Sequence, residues 1–368
     1  MEPTLKLCIL SLAFAALLTG GCSKPLLPYS LDTPPLVLAP ASLANVEDGR
    51  GRFREIYCAV QKNHGAVLPY NRPCEDVILR LGGEPEPTRN PVSLGPSKLK
   101  LRVLVVPGLF NDCIKFSSAY SYAHAHLERY GYRAESLPVS GRSSSTYNAL
   151  EIRNAILGME LLSEEKIVLV GYSKGVPDIL EAVVAYPEMH QRVAAVVSVA
   201  GTVNGSPLAD QIDRPYQELL KKVPLPQCPP GVGDPIESLK RSTRLPWLSR
   251  NRLPESVKYF SLAAFAGRDD ISVILQSSYD RLALIDPRND SQVIFYDAII
   301  PGSTLLGFVK ADHWAVAMPF SQDAPQLSPG LIDKNEFPRE VLLEAMIRFV
   351  EEKLLAVDRS AIAGKSRD

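Results

Sequence analysis

A glycine-bracketed serine, Gly171-Tyr-Ser-Lys-Gly175, lies directly behind an unbroken apolar run, Ile167 to Val170, and directly ahead of a helical pattern, Val176 to Val184. A chain that passes from a buried strand into a helix within one pentapeptide has to turn sharply, and the glycines permit the close backbone approach that such a turn requires. The serine hydroxyl is left exposed above the sheet, which makes Ser173 a candidate nucleophile.

The rest of the chain repeats the alternation of buried strand and helix. The segments Leu101 to Val106, Arg133 to Val139, Ile167 to Val170, Val193 to Val199, Lys258 to Ala264 and Thr304 to Val309, most of them apolar, read as strands. Helical patterns cover Phe116 to Tyr130, Tyr147 to Leu162, Lys174 to Tyr186 and Pro338 to Leu355, the last with Leu342, Ala345, Met346 and Phe349 on one face. The expectation is an α/β fold with a mostly parallel central sheet flanked by helices.

Ser173 needs a base, an acid and donors for an oxyanion. The sequence holds five histidines. His313, in Lys310-Ala-Asp-His-Trp, directly follows the strand-like stretch Leu305 to Val309, whereas His64, His124, His126 and His190 read as surface or packing residues. Asp290, in Asn289-Asp-Ser-Gln-Val293, leaves room for a turn and one strand before His313. Asp269 and Asp270, just beyond the segment Tyr259 to Phe265, are the alternative acids; Asp286 is a further one, and Asp312 should point away from a neighbour that points in. The run Leu101-Arg-Val-Leu-Val-Val-Pro-Gly108 ends in a Pro-Gly turn whose loop can present a backbone N–H.

These segments resemble the α/β-hydrolase superfamily, in particular its bacterial lipases and carboxylesterases, over about residues 101 to 355. The resemblance rests on Val105-Val-Pro-Gly-Leu-Phe110, Gly171-Tyr-Ser-Lys-Gly175, Asn204-Gly-Ser-Pro-Leu-Ala-Asp210, Asn289-Asp-Ser-Gln-Val293 and Ala311-Asp-His-Trp-Ala315. It implies a Ser173, Asp290, His313 triad in the chain order of that fold, with oxyanion donors at the backbone of Lys174 and of Leu109 or Phe110. It further implies cleavage of a carboxylic ester or lipid through an acyl-enzyme, with no cofactor. An acyltransferase or polyester depolymerase on the same triad, or a non-catalytic surface lipoprotein of the same fold, is the alternative. Two positions depart from the family: Pro107 stands where a histidine commonly precedes the oxyanion glycine, and Ser291 stands where glycine commonly follows the acid.

The amino terminus looks like a bacterial lipoprotein signal. Lys6 precedes an apolar stretch, Leu7 to Leu18, too short to span a membrane, and Thr19-Gly-Gly-Cys22 closes it. The resemblance implies removal of residues 1–21, lipidation of Cys22 and an exported outer-membrane lipoprotein, with an ordinary secreted protein as the alternative. Export leaves Cys58, Cys74, Cys113 and Cys228 in a disulfide-permissive compartment. The favoured pairing is Cys58 with Cys74 and Cys113 with Cys228; buried free thiols are the other reading.

Residues 22–43 are a Pro-rich tether, 44–97 a small lead-in, 98–357 the catalytic domain and 358–368 a tail. An insert at about 205–255 breaks the strand–helix rhythm after the sixth strand, where the superfamily often carries a cap. Leu225, Leu245, Trp247 and Leu248 could line an acyl pocket beneath it, and its arginines could meet anionic lipid; a solvated loop pinned by Cys228 is the other reading. No metal is expected, because no Cys-x-x-Cys or His-Glu-x-x-His spacing occurs. A formal net charge of -1 without a basic patch argues against a nucleic-acid partner.

Overall fold

In the computed structural model, which describes residues 45–114, 116–212, 229–326 and 330–365, the six predicted strands form the body of one sheet. They are β3 (Leu101–Val106), β4 (Arg133–Ser136), β5 (Lys166–Tyr172), β6 (Val193–Val199), β7 (Lys258–Ala264) and β8 (Thr304–Val309). Valine and isoleucine dominate β3, β5 and β6, and almost every residue of these strands is buried, as a sheet covered on both faces requires. Two short strands join at the edge: β1 (Glu47–Asp48), parallel to β8, and β2 (Ile78–Leu79), antiparallel to it. The order is β1-β8-β7-β6-β5-β3-β4, with β2 pairing β8 off this path, and every pairing except β2 with β8 is parallel.

The lead-in contributes to the core. Helix α1 (Arg50–His64) buries Phe53, Ile56, Tyr57 and Val60, and Phe53 meets Phe349 edge-on at 6.1 Å. The remaining helices include α2 (Ser121–Glu128), α3 (Ser145–Gly158), α4 (Gly175–Ala185), α5 (Pro207–Asp210), α6 (Arg241–Arg250), α7 (Gln276–Ala283), α8 (Phe320–Asp323) and α9 (Arg339–Lys365). Ser144 caps α3 by accepting from the Tyr147 N–H at 3.3 Å. The stripe expected on α9 is buried, together with Leu343, Ile347 and Val350. The helix runs on through residues assigned to a tail, as far as Lys365. Among the described residues no helix is long and apolar enough to cross a membrane.

Cys58 of α1 is bonded to Cys74, fastening the lead-in to itself. Cys113 is also disulfide-bonded; Cys228, the partner expected for it, lies outside the described residues, as do Cys22 and Leu225.

The insert buries part of its basic and aromatic run: Arg241 and Arg244 are buried, whereas Arg250 is exposed. Arg244 pairs with Glu181 at 2.9 Å and lies 4.4 Å from the centre of the Trp247 ring. Trp247 and Leu248 pack on the cluster that contains Val196 and Tyr259. Buried arginines need carboxylate partners: Glu181 of α4 and the Trp247 ring serve Arg244, and Asp297 pairs with Arg241 at 3.4 Å.

Candidate active site

Ser173 sits at the turn from β5 into α4 with φ of +55°, a conformation uncommon for a residue with a Cβ. Three glycines make the turn feasible. A Cβ on Gly175 would lie 2.2 Å from the carbonyl oxygen of Val106, one on Gly171 would lie 2.9 Å from Val176, and one on Gly108 would lie 2.9 Å from the Cβ of Ser173. The bracketing glycines therefore let the elbow press against the end of β3 and against its own helix.

The loop after β8 carries His313. Its Nε2 lies 2.8 Å from Ser173 Oγ and its Nδ1 lies 2.7 Å from Asp290 Oδ2. The other carboxylate oxygen of Asp290 accepts from the backbone N–H of Gln292 at 2.9 Å and of Val293 at 2.7 Å. Those bonds leave Oδ2 aimed at the imidazole. Ser291 follows with φ of +84°, so this serine adopts the backbone that the family's glycine takes freely.

Tyr172 lies beneath His313, donating from its hydroxyl to the His313 carbonyl at 2.7 Å. Burial pushes that phenol far above its ordinary range, and the nearby Asp290 and Asp312 carboxylates add to the shift, so it stays a donor. Asp312 faces away from the serine. It accepts from the Ser272 N–H at 2.9 Å and the Ala315 N–H at 2.7 Å, and burial raises its pKa against those bonds. Asp269 and Asp270 are exposed, and Asp270 pairs with Lys310 at 2.9 Å. Asp286 pairs with Arg288 at 2.7 Å.

Of the two oxyanion candidates on the β3 loop, Phe110 gives its N–H to the Gly141 carbonyl at 2.9 Å. The N–H groups of Leu109 and Lys174 have no acceptor among the described residues. The Lys174 side chain turns away from the serine and is buried against Asp178 at 2.8 Å. Neither that pair nor the Tyr172 clamp was anticipated; the four-residue spacing of Lys174 and Asp178 on a helix was the available signal.

A cavity of about 300 Å³ opens over Ser173 and His313. Its apolar walls include Leu109, Ile114, Met318 and Phe320 from the core loops and Leu208, Ala209, Ile236 and Leu239 from the insert. Among the described residues the insert lines one side of the cavity, through residues other than Leu245, Trp247 and Leu248. Its second half is seated on the loop before α3, where Val232 donates to Ser143 Oγ at 2.9 Å and accepts from the Ser144 N–H at 2.8 Å.

Away from this site, His64 and His126 converge on Glu344 at 2.9 and 2.6 Å, an arrangement that scattered histidines did not reveal in the sequence. A tetrahedral metal with bonds of ~2.1 Å would hold its ligand atoms ~3.4 Å apart. The observed separations are those of hydrogen bonds, and Arg348 at 2.6 Å already balances the Glu344 charge. The group reads as a clasp that joins α1, α2 and α9.

The sequence matches no family model and no curated relative. Among solved structures, a metagenomic carboxyl esterase is 48% identical, with a TM-score of 0.83, covering 87% of this chain and 97% of its own. The lipase of Staphylococcus hyicus is 14% identical, with a TM-score of 0.54, covering 72% of this chain and 99% of its own; that likeness concerns the fold.

Proposed function

The chain belongs to the carboxyl esterases of the α/β-hydrolase fold, and from that premise we propose that it hydrolyses a carboxylic ester or lipid, with Ser173 as nucleophile, His313 as base and Asp290 as the acid that orients it. The observation that carries this reading is the continuous hydrogen-bonded line from Ser173 Oγ through His313 to Asp290, at the foot of an apolar cavity.

His313 Nε2 takes the hydroxyl proton as Oγ attacks the ester carbonyl. Asp290 holds the Nδ1–H tautomer and offsets the charge of the imidazolium as it forms. The free N–H groups of Leu109 and Lys174 receive the oxyanion, a contribution of about 2.7 to 4 kcal/mol per donor in comparable enzymes. Collapse of the tetrahedral intermediate expels the alcohol, which takes the proton back from His313. Water then repeats the sequence on the acyl-enzyme and releases the acid. Ser173→Ala, assayed with p-nitrophenyl esters of graded chain length, tests this assignment.

Export as a lipoprotein lipidated on Cys22 remains part of the proposal. It draws support from the signal-like amino terminus and from the Cys58–Cys74 disulfide, which suits an oxidising compartment. Globomycin-sensitive processing, and its loss in Cys22→Ala, tests it.

A further inference from the structure

The two free N–H donors come from different segments: Lys174 is the N-cap of α4, and Leu109 lies in the loop after β3. A chain of buried and half-buried polar contacts joins those segments. Lys174 Nζ meets both carboxylate oxygens of Asp178 at 2.8 and 2.9 Å. Asn148 of α3 donates from Nδ2 to Asp178 Oδ2 at 2.7 Å and to the Ser140 carbonyl at 2.9 Å. The next residue, Gly141, accepts from the Phe110 N–H at 2.9 Å, one residue beyond Leu109. Lys174, Asp178 and Asn148 are each at most 1% exposed.

Such a chain requires an explanation. A lysine at the start of a helix has the wrong sign for the helix dipole, and burying its ammonium costs several kcal/mol unless it is paired. Asp178 in the first turn removes both objections, and its Oδ2 also accepts from Asn148 Nδ2. The same amide nitrogen donates to the Ser140 carbonyl, so Asn148 ties α4 to the loop that receives Phe110. A Cβ on Gly141 would lie 2.7 Å from the Asn111 backbone nitrogen, so the loop and the Leu109–Asn111 segment are in direct contact.

Resting on the ester-hydrolase reading, we propose that Asn148 is a positioning residue that, through Asp178 and Lys174 on one side and the Ser140-Gly141 loop on the other, holds the Lys174 and Leu109 N–H groups in register for the oxyanion. It touches no substrate. Its effect is confined to the tetrahedral state, because a ground-state ester asks little of the two donors while the oxyanion needs both.

The test compares wild type with Asn148→Leu, and with Asn148→Ala as a second variant, with rates normalised to sites titrated by a fluorophosphonate. The expected result is a kcat lower by about tenfold or more, short of the roughly hundredfold or greater loss of a whole donor, with KM within about twofold. Affinity for an alkyl boronic acid, which forms a tetrahedral adduct on the serine, should fall in parallel with kcat. Unchanged kcat per titrated site and unchanged boronate affinity, with any loss confined to thermal stability or to the titratable fraction, overturns the proposal. A wild-type protein without esterase activity overturns the underlying reading instead.

Discussion

His313 is tied to Asp290 twice: its backbone N–H donates to the Asp290 carbonyl at 2.8 Å, and its ring Nδ1 lies 2.7 Å from the Asp290 carboxylate. The backbone bond sets where the histidine loop lies, and the side-chain bond sets which way the ring faces. Asp290→Asn preserves the first and alters the second. It should therefore lower kcat by up to roughly four orders of magnitude while leaving the urea midpoint nearly unchanged. Asp269→Asn and Asp270→Asn, changing exposed carboxylates, should stay within about twofold of wild type. Comparable losses in all three variants would detach Asp290 from the role.

The elbow makes a prediction about folding. Gly175→Ala would drive a Cβ to within 2.2 Å of a main-chain oxygen of β3, and neither the strand nor the helix can retreat without disturbing the sheet. A stability loss of about 3 kcal/mol or more, read from urea unfolding, is expected. Full stability in this variant would mean that the turn is looser than described.

The cavity separates selectivity from stability. Leu239 lines it, whereas Trp247 packs on the core with Arg244 over its ring. Leu239→Trp should shift the ratio of kcat/KM for butyrate over octanoate esters by about tenfold or more toward the short chain, since pocket methylenes are worth about 1 to 3 kcal/mol each. Trp247→Ala should instead lower the melting temperature with little change in chain-length preference. The opposite pattern would return Trp247 to the pocket.

The Cys58–Cys74 bond closes a loop with a sequence separation of 16. Cys58→Ser with Cys74→Ser should cost about 3 kcal/mol by the chain-entropy argument. Activity at low temperature should persist, because the disulfide is confined to the lead-in. Urea unfolding of the double variant beside an ester assay checks both halves.

Periodic, local features were legible in the sequence: six strands lie within a few residues of their apolar runs, and the glycine spacing around Ser173 defined the turn. Short strands were not. The two residues of β1 and the two of β2 have no period of their own and exist because the edge of β8 offers hydrogen bonds. The fate of the basic run in α6 was equally hidden, since Arg244 is accommodated by Glu181, a residue of another helix. Long-range polar partners of this kind carry no sequence spacing to read. The Glu344 clasp, whose histidines lie 280 and 218 residues away, is the extreme case.

The most direct measurement is hydrolysis of p-nitrophenyl butyrate by wild type and Ser173→Ala, run beside labelling of both with a fluorophosphonate. Wild type should be labelled stoichiometrically on Ser173. The variant should fold normally, take no label and hydrolyse the ester slower by several orders of magnitude. Ser173→Ala that hydrolyses the ester near the wild-type rate, or label recovered on another residue, would remove Ser173 from the nucleophile's role.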